Sequence, residues 1–159
     1  LKTISNGKAI KMASRRKARI LAFQALYAWE ASKAPLEDLL SFSWLEKEKL
    51  AQMEEELLVF SKLMIAGAIE KVAVVDEAIR KHLSHWPFER LKKVDLAILR
   101  MGVYCLLFQD EIPHQITIDE AIEISKEFGS DDSYKFINGV LDGVHKEIIS
   151  IGAIVGSNG

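Results

Sequence analysis

The thirteen residues LAILRMGVYCLLF, positions 96–108, constrain this chain more than any other stretch. Wound into a helix, they are apolar on nearly every side, with Arg100 the single charge. A helix apolar all round belongs inside a protein, and the run is too short to span a bilayer. The rest of the chain must therefore wrap it. The wrapping elements read as helices too, because apolar residues recur at three-and-four spacing and no run alternates with period two. The expected fold class is all-α, with about seven helices sharing one core.

Element boundaries follow from local signals. Ser14 reads as the N-cap of a first helix, and Pro35 as the breaker behind it. A short helix is expected near residues 36–42. From 45 to 82 the spacing predicts one long helix, bent near Gly67. Trp86-Pro87 breaks it, and the central helix is expected over 88–109. Thr117 and Glu120 match a capping box, and Gly129 the left-handed residue after a helix. Ser130, Asp131 and Asp132 suit the start of the last helix, whose core stripe is Ile137, Val140, Leu141, Val144 and Ile148. Residues 1–13 read as a flexible basic arm, 14–150 as a single helical domain and 151–159 as a frayed tail. Met12-Ala13-Ser14 reads as one place for a natural start within the arm, under which residues 1–11 would be upstream sequence.

Net charge is only −2, but it is unevenly spread. Residues 1–19 carry seven bases (Lys2, Lys8, Lys11, Arg15, Arg16, Lys17 and Arg19) and no acid, while the remainder balances to −9. Cations on the first turn of a helix oppose its dipole, each costing about 0.3–1 kcal/mol when exposed. No acid before Glu30 compensates them. An anionic partner turns that cost into attraction. Four such side chains on single-stranded nucleic acid give a slope of about −3 for log affinity against log salt. Base preference needs aromatic platforms, and Tyr27 and Phe136 are the candidates. Asp132 lies one turn before Phe136, on the same flank near a helix N-terminus.

Catalytic and metal chemistry find little support. His82 and His85 lie three apart, as do Asp142 and His145, but neither pair has a third ligand nearby. Glu120 and Glu123 read as a cap and a solvated face. Cys105 sits in the central apolar run as an inert core thiol. Alone in the chain, it forms no internal disulfide, which suits a reducing compartment, hence the cytoplasm. No glycine-rich phosphate loop is present. No cofactor and no enzymatic activity are expected.

Two blocks carry a family resemblance: RRKARILAFQALYAWE at 15–30 and ITIDEAIEISKEFGSDDSYKFINGVLDGV at 116–144, with VDLAILRMGVYCLLF at 94–108 between them. Over residues 15–147 the chain resembles the bacterial NusB family of transcription antitermination factors. The resemblance implies two perpendicular helical subdomains. It implies binding of boxA-type single-stranded RNA from ribosomal RNA operon leaders. The implied partner is the small-subunit ribosomal protein that doubles as Nus factor E, and together the two help RNA polymerase read through terminators. It places RNA contacts on Arg15, Arg16, Lys17, Arg19 and Tyr27, and on Asp132, Lys135 and Phe136. The ribosomal protein is expected on the central helix and its flanks, residues 89–109. NusB-like domains also begin some ribosomal RNA cytosine methyltransferases, a reading that requires a catalytic domain after Gly159. A third reading is a structural helical module that forms homodimers.

Overall fold

A computed structural model describes residues 6–157, with side chains from 15 to 156. The described residues form eight α-helices, one 3₁₀ turn and no strand. They are α1 (Asn6–Ser32), α2 (Leu36–Leu40), α3 (Lys47–Ala51), α4 (Glu55–Glu70) and α5 (Val72–Lys81), then a 3₁₀ turn (Phe88–Arg90), α6 (Lys93–Phe108), α7 (His114–Phe128) and α8 (Ser133–Ser157). The expected all-helical class holds.

α6 is the hub. It packs against α1, α4, α5, α7 and α8, and Leu96–Val103 is buried without a break. Each fully buried Leu, Ile, Val or Met there contributes about 1.5–3 kcal/mol. Arg100, the charge inside this run, is itself buried. Its Nε and Nη2 donate to the two Asp76 carboxylate oxygens, both at 2.9 Å, and its Nη1 to Glu30 Oε2 at 2.7 Å. One guanidinium thereby joins α1, α5 and α6. The stripe predicted for the last helix is also inside: Ile137, Val140, Leu141 and Val144 are buried, with Ile148 half-buried.

Several expected boundaries move. α1 begins at Asn6, not at Ser14, so the part of the basic arm from residue 6 onward is helical. Nothing between Asn6 and Ser14 breaks a helix, and once later turns exist each added residue gains a bond without a nucleation cost. Residues 1–5 lie outside the described part. For the same reason α8 runs on through Gly152 to Ser157, where a frayed tail was expected; residues 158–159 lie outside it too.

The single helix expected over 45–82 is three. Glu54 is extended (φ −67°, ψ 142°), and Lys71 leaves the helical region (φ −100°, ψ 18°). Neither break carries a glycine or proline signal. Packing supplies the reason, since α4 lies mainly on α1 while α5 turns away onto α6 and α8. Gly67 sits inside α4 where the Tyr104 ring of α6 packs too closely for any Cβ. The central helix likewise starts at Lys93, five residues late, because a 3₁₀ turn and the extended Leu91 and Lys92 follow Pro87.

The capping box does not form. Pro113 starts α7, its preset φ of −54° leading directly into His114, so Thr117 falls within the helix and is buried. Gly129 is extended (φ −91°, ψ −174°), not left-handed. Its need for glycine is close approach: a Cβ would lie 2.7 Å from both the Ser125 carbonyl oxygen and Ser133 Oγ. No helix among the described residues is long and apolar enough to cross a membrane.

Candidate nucleic-acid interface

The four cations predicted on α1 meet three different fates. Arg15 and Lys17 are exposed, and the Arg15 guanidinium lies 5.1 Å from the Phe60 ring centre. Arg16 forms a two-point fork with Glu120 of α7, Nε to Oε2 and Nη2 to Oε1, both 2.8 Å. That hydrogen bonding raises the Arg16 pKa, and the charges of Glu120, Glu123 and Glu127 add to it. The compensating acids absent before Glu30 therefore come from α7, about a hundred residues further along.

Arg19 corrects the sequence reading. It is 3% exposed, so it is not offered to an external ligand. Burial lowers its pKa, its guanidinium lies 5.4 Å from the Phe60 ring centre, and Nε has no hydrogen-bond partner. The reason is helical phase: Arg19 follows Ala18 onto the side of α1 that turns inward, between the exposed Lys17 and the core residues Leu21 and Ala22.

Tyr27 is 42% exposed. One turn before it, Phe23 contacts Phe128, with ring centres 5.0 Å apart. This contact sets the end of α7 against α1, one helical turn from Tyr27. The link from α7 into α8 is tied down from two sides. Lys92 donates from Nζ to Ser130 Oγ at 2.7 Å, and the Ser130 amide donates to Ser133 Oγ at 3.0 Å.

Behind this link opens a cleft of about 710 Å³, with Trp86, Arg90, Lys92, Asp95, Asp132 and Phe136 among its lining residues. Asp132 is exposed and Phe136 half-buried, so the structure brings these two predicted residues into one site. Lys135 is exposed just outside, its Nζ 5.8 Å from the Tyr134 ring centre. Sequence reasoning missed Trp86, Arg90, Lys92 and Asp95. The one available signal was Trp86 itself, a large aromatic at a helix break, left 54% exposed.

The other chemical candidates resolve into packing. His82 Nε2 lies 2.7 Å from Glu147 Oε2, tying the end of α5 to α8. His145 stacks on His114 with ring centres 3.6 Å apart. No group of three or more metal-ligating side chains gathers among the described residues. The Cys105 thiol is buried, which pushes its pKa up to about 12.

The chain has clear relatives among known proteins. The sequence profile of the NusB family matches residues 16–146. The chain is 48% identical over 130 residues to the transcription antitermination protein NusB of Treponema denticola, spanning 82% of this chain and 94% of that one. Among solved structures, NusB of T. maritima superposes with a TM-score of 0.74 at 36% identity, over 84% of this chain and 91% of that one. A structure of the antitermination factors NusB and NusE in complex with dsRNA superposes at 0.75 and 26% identity, over 86% of this chain and 98% of that one.

Proposed function

This chain belongs to the NusB family, and from that premise we propose that it binds boxA-type single-stranded RNA of ribosomal RNA operon leaders as a non-catalytic antitermination factor. It does so in the cytoplasm together with the small-subunit ribosomal protein that serves as Nus factor E, and the complex helps RNA polymerase read through terminators. The observation that carries this reading is one of position. Asp132 and Phe136 line one cleft at the start of α8 with Lys135 exposed beside it, and Phe23, one turn before Tyr27 on α1, contacts Phe128 at the end of α7. The solved NusB–NusE complex contains dsRNA, which supports a nucleic-acid partner for the same fold.

Mechanistically, Arg15, Lys17 and the half-exposed Arg16 attract phosphates along α1. The cleft and Tyr27 offer faces on which unstacked bases can lie. With Arg19 buried, three cations of the cluster remain, and they supply a salt slope of about −2 rather than −3. RNA and ribosomal protein tighten each other's binding by the same factor.

The test is a titration with a boxA-like RNA and a scrambled control, over several salt concentrations, with and without the ribosomal protein. A preference for the boxA-like strand that sharpens when the protein is added supports the reading. Equal, weak binding to both strands that disappears with salt leaves only a polyanion hook and removes the antitermination role.

A further inference from the structure

The core stripe of α8 outruns the body it packs on. Ile137, Leu141, Val144, Ile148, Ile151 and Val155 recur at alternating steps of four and three, the spacing of an unbroken helix-pairing seam. Ile137, Leu141 and Val144 are buried and Ile148 is half-buried, but Ile151 is 56% exposed and Val155 68%. From Ile148 onward no side chain is charged. A Cβ on Gly152 or Gly156 would meet nothing within 4 Å, so the rest of the described chain does not reach this segment. Surface helices ordinarily turn a polar face to water, whereas here two turns of apolar seam face it. Beside them, α5 and α8 enclose a groove of about 480 Å³ lined by Val74, Ala78, Leu107, Ile148 and Ile151 among others. Val74 is 53% exposed.

We propose that this face pairs with a second copy of the chain, the end of each α8 lying in the other copy's groove between α5 and α8. The occupant follows from what the face presents. It holds both halves of the contact, a projecting ridge and an apolar groove, and a two-fold axis seats each ridge in the opposite groove at once. The lengths match: Ile148 to Val155 spans about 10 Å of helix, and the α5 wall from Ala73 to Lys81 about 12 Å. The charges match too. An uncharged ridge loses no ion hydration on entering the groove. The rim carries both signs, Lys81 against Glu77 and Glu147, so two copies can set lysine against glutamate. The seam lacks the flanking charges by which paired helices select a different partner. Ile151 lies about 27 Å along α8 from Ser133, which leaves the cleft with Asp132 and Phe136 uncovered. Roughly fifteen residues meet from each copy, short of the 20–30 of a standard interface, so the dimer is weak and concentration-dependent. None of this depends on the RNA-binding reading.

Sedimentation equilibrium of the full chain without RNA, from low micromolar to several hundred micromolar, reads the oligomeric state. The average mass is expected to rise from that of one chain towards two. Ile151→Glu and Val74→Lys stand on opposite walls of the groove, each at a position more than half exposed. Each is expected to weaken the dimer by about tenfold or more while leaving Tm unchanged. Mixed in equal amounts, the two variants are expected to regain dimers, because the glutamate of one copy then meets the lysine of the other. If one variant folds poorly, the other and the concentration series still decide. A chain that stays monomeric over the whole range overturns the inference, as does a dimer untouched by both substitutions, which must use another face. If the chain does not self-associate and Ile151→Glu loses binding to the ribosomal protein or to lipid vesicles, the face belongs to that occupant and the inference is equally overturned.

Discussion

Arg16 and Glu120, 104 residues apart, are joined by two parallel 2.8 Å hydrogen bonds that fasten α1 to α7. The Arg16 side chain remains 45% exposed while Glu120 is 11% exposed. Arg16 is therefore a structural tie that also faces solvent, and its removal has a cost that its neighbours' removal lacks. Arg16→Glu would set two carboxylates against each other and is expected to lower stability by about 1–2 kcal/mol, or several degrees in Tm. Charge reversal at Arg15 and Lys17 is expected to leave Tm within about two degrees while weakening RNA binding tenfold or more. Thermal melts and RNA titrations of the two variants check this. Equal melting temperatures would deny the fork its role.

Arg19 and Arg100 are both buried arginines on helices, but among the described residues only Arg100 is hydrogen-bonded to carboxylates, while Arg19 lies against the Phe60 ring. Arg100→Met strands Asp76, leaves Glu30 only the exposed Lys33 and Lys93, and is expected to cost about 3–5 kcal/mol. Arg19→Met removes a buried charge whose Nε has no partner and is expected to be neutral or stabilising. It should also leave the RNA salt slope unchanged. Urea denaturation separates the two variants, and a strongly destabilised Arg19→Met would show that this guanidinium has a partner role after all.

Glu30 makes the fold sensitive to acid. Burial works against its charge, but hydrogen bonds from Arg100 and Lys33 outweigh that and hold its pKa down at about 2, from an ordinary value of 4.5. A carboxyl with a lowered folded-state pKa adds stability above its unfolded pKa and loses it as pH falls towards the folded value. Stability is therefore expected to decline from about pH 4.5 down to about 2. Glu30→Gln should be less stable at neutral pH and flatter across that window. Chemical denaturation at stepped pH reads both effects.

Cys105 should be silent in the native protein. Its burial and a pKa near 12 deny a disulfide reagent both access and thiolate. Labelling with such a reagent is expected to be slow in buffer and immediate in denaturant. Fast labelling in buffer would mean that α6 opens readily.

Much of the fold was legible because it depends on local pattern. The run at 96–108 could only be central, and the Ile137–Val144 stripe could only face inward, since each buries apolar surface by its own periodicity. Boundaries set by neighbours were not legible. The interruptions at Glu54 and Lys71 answer to α1, α6 and α8, and no residue at either point announces a break.

The candidate interface divides in the same way. Helix phase and the family resemblance point to Tyr27, Asp132, Lys135 and Phe136 without the fold. Trp86, Lys92 and Asp95 were missed, because a cleft exists only between elements and α6 meets α8 only in the folded chain. The sequence alone determined an all-helical protein, its buried central helix and a basic first helix, since charge and periodicity are properties of single segments. Tertiary structure alone decided which cations face solvent, because that depends on distant partners: Glu120 engages Arg16, the core encloses Arg19, and Arg15 and Lys17 stay outside.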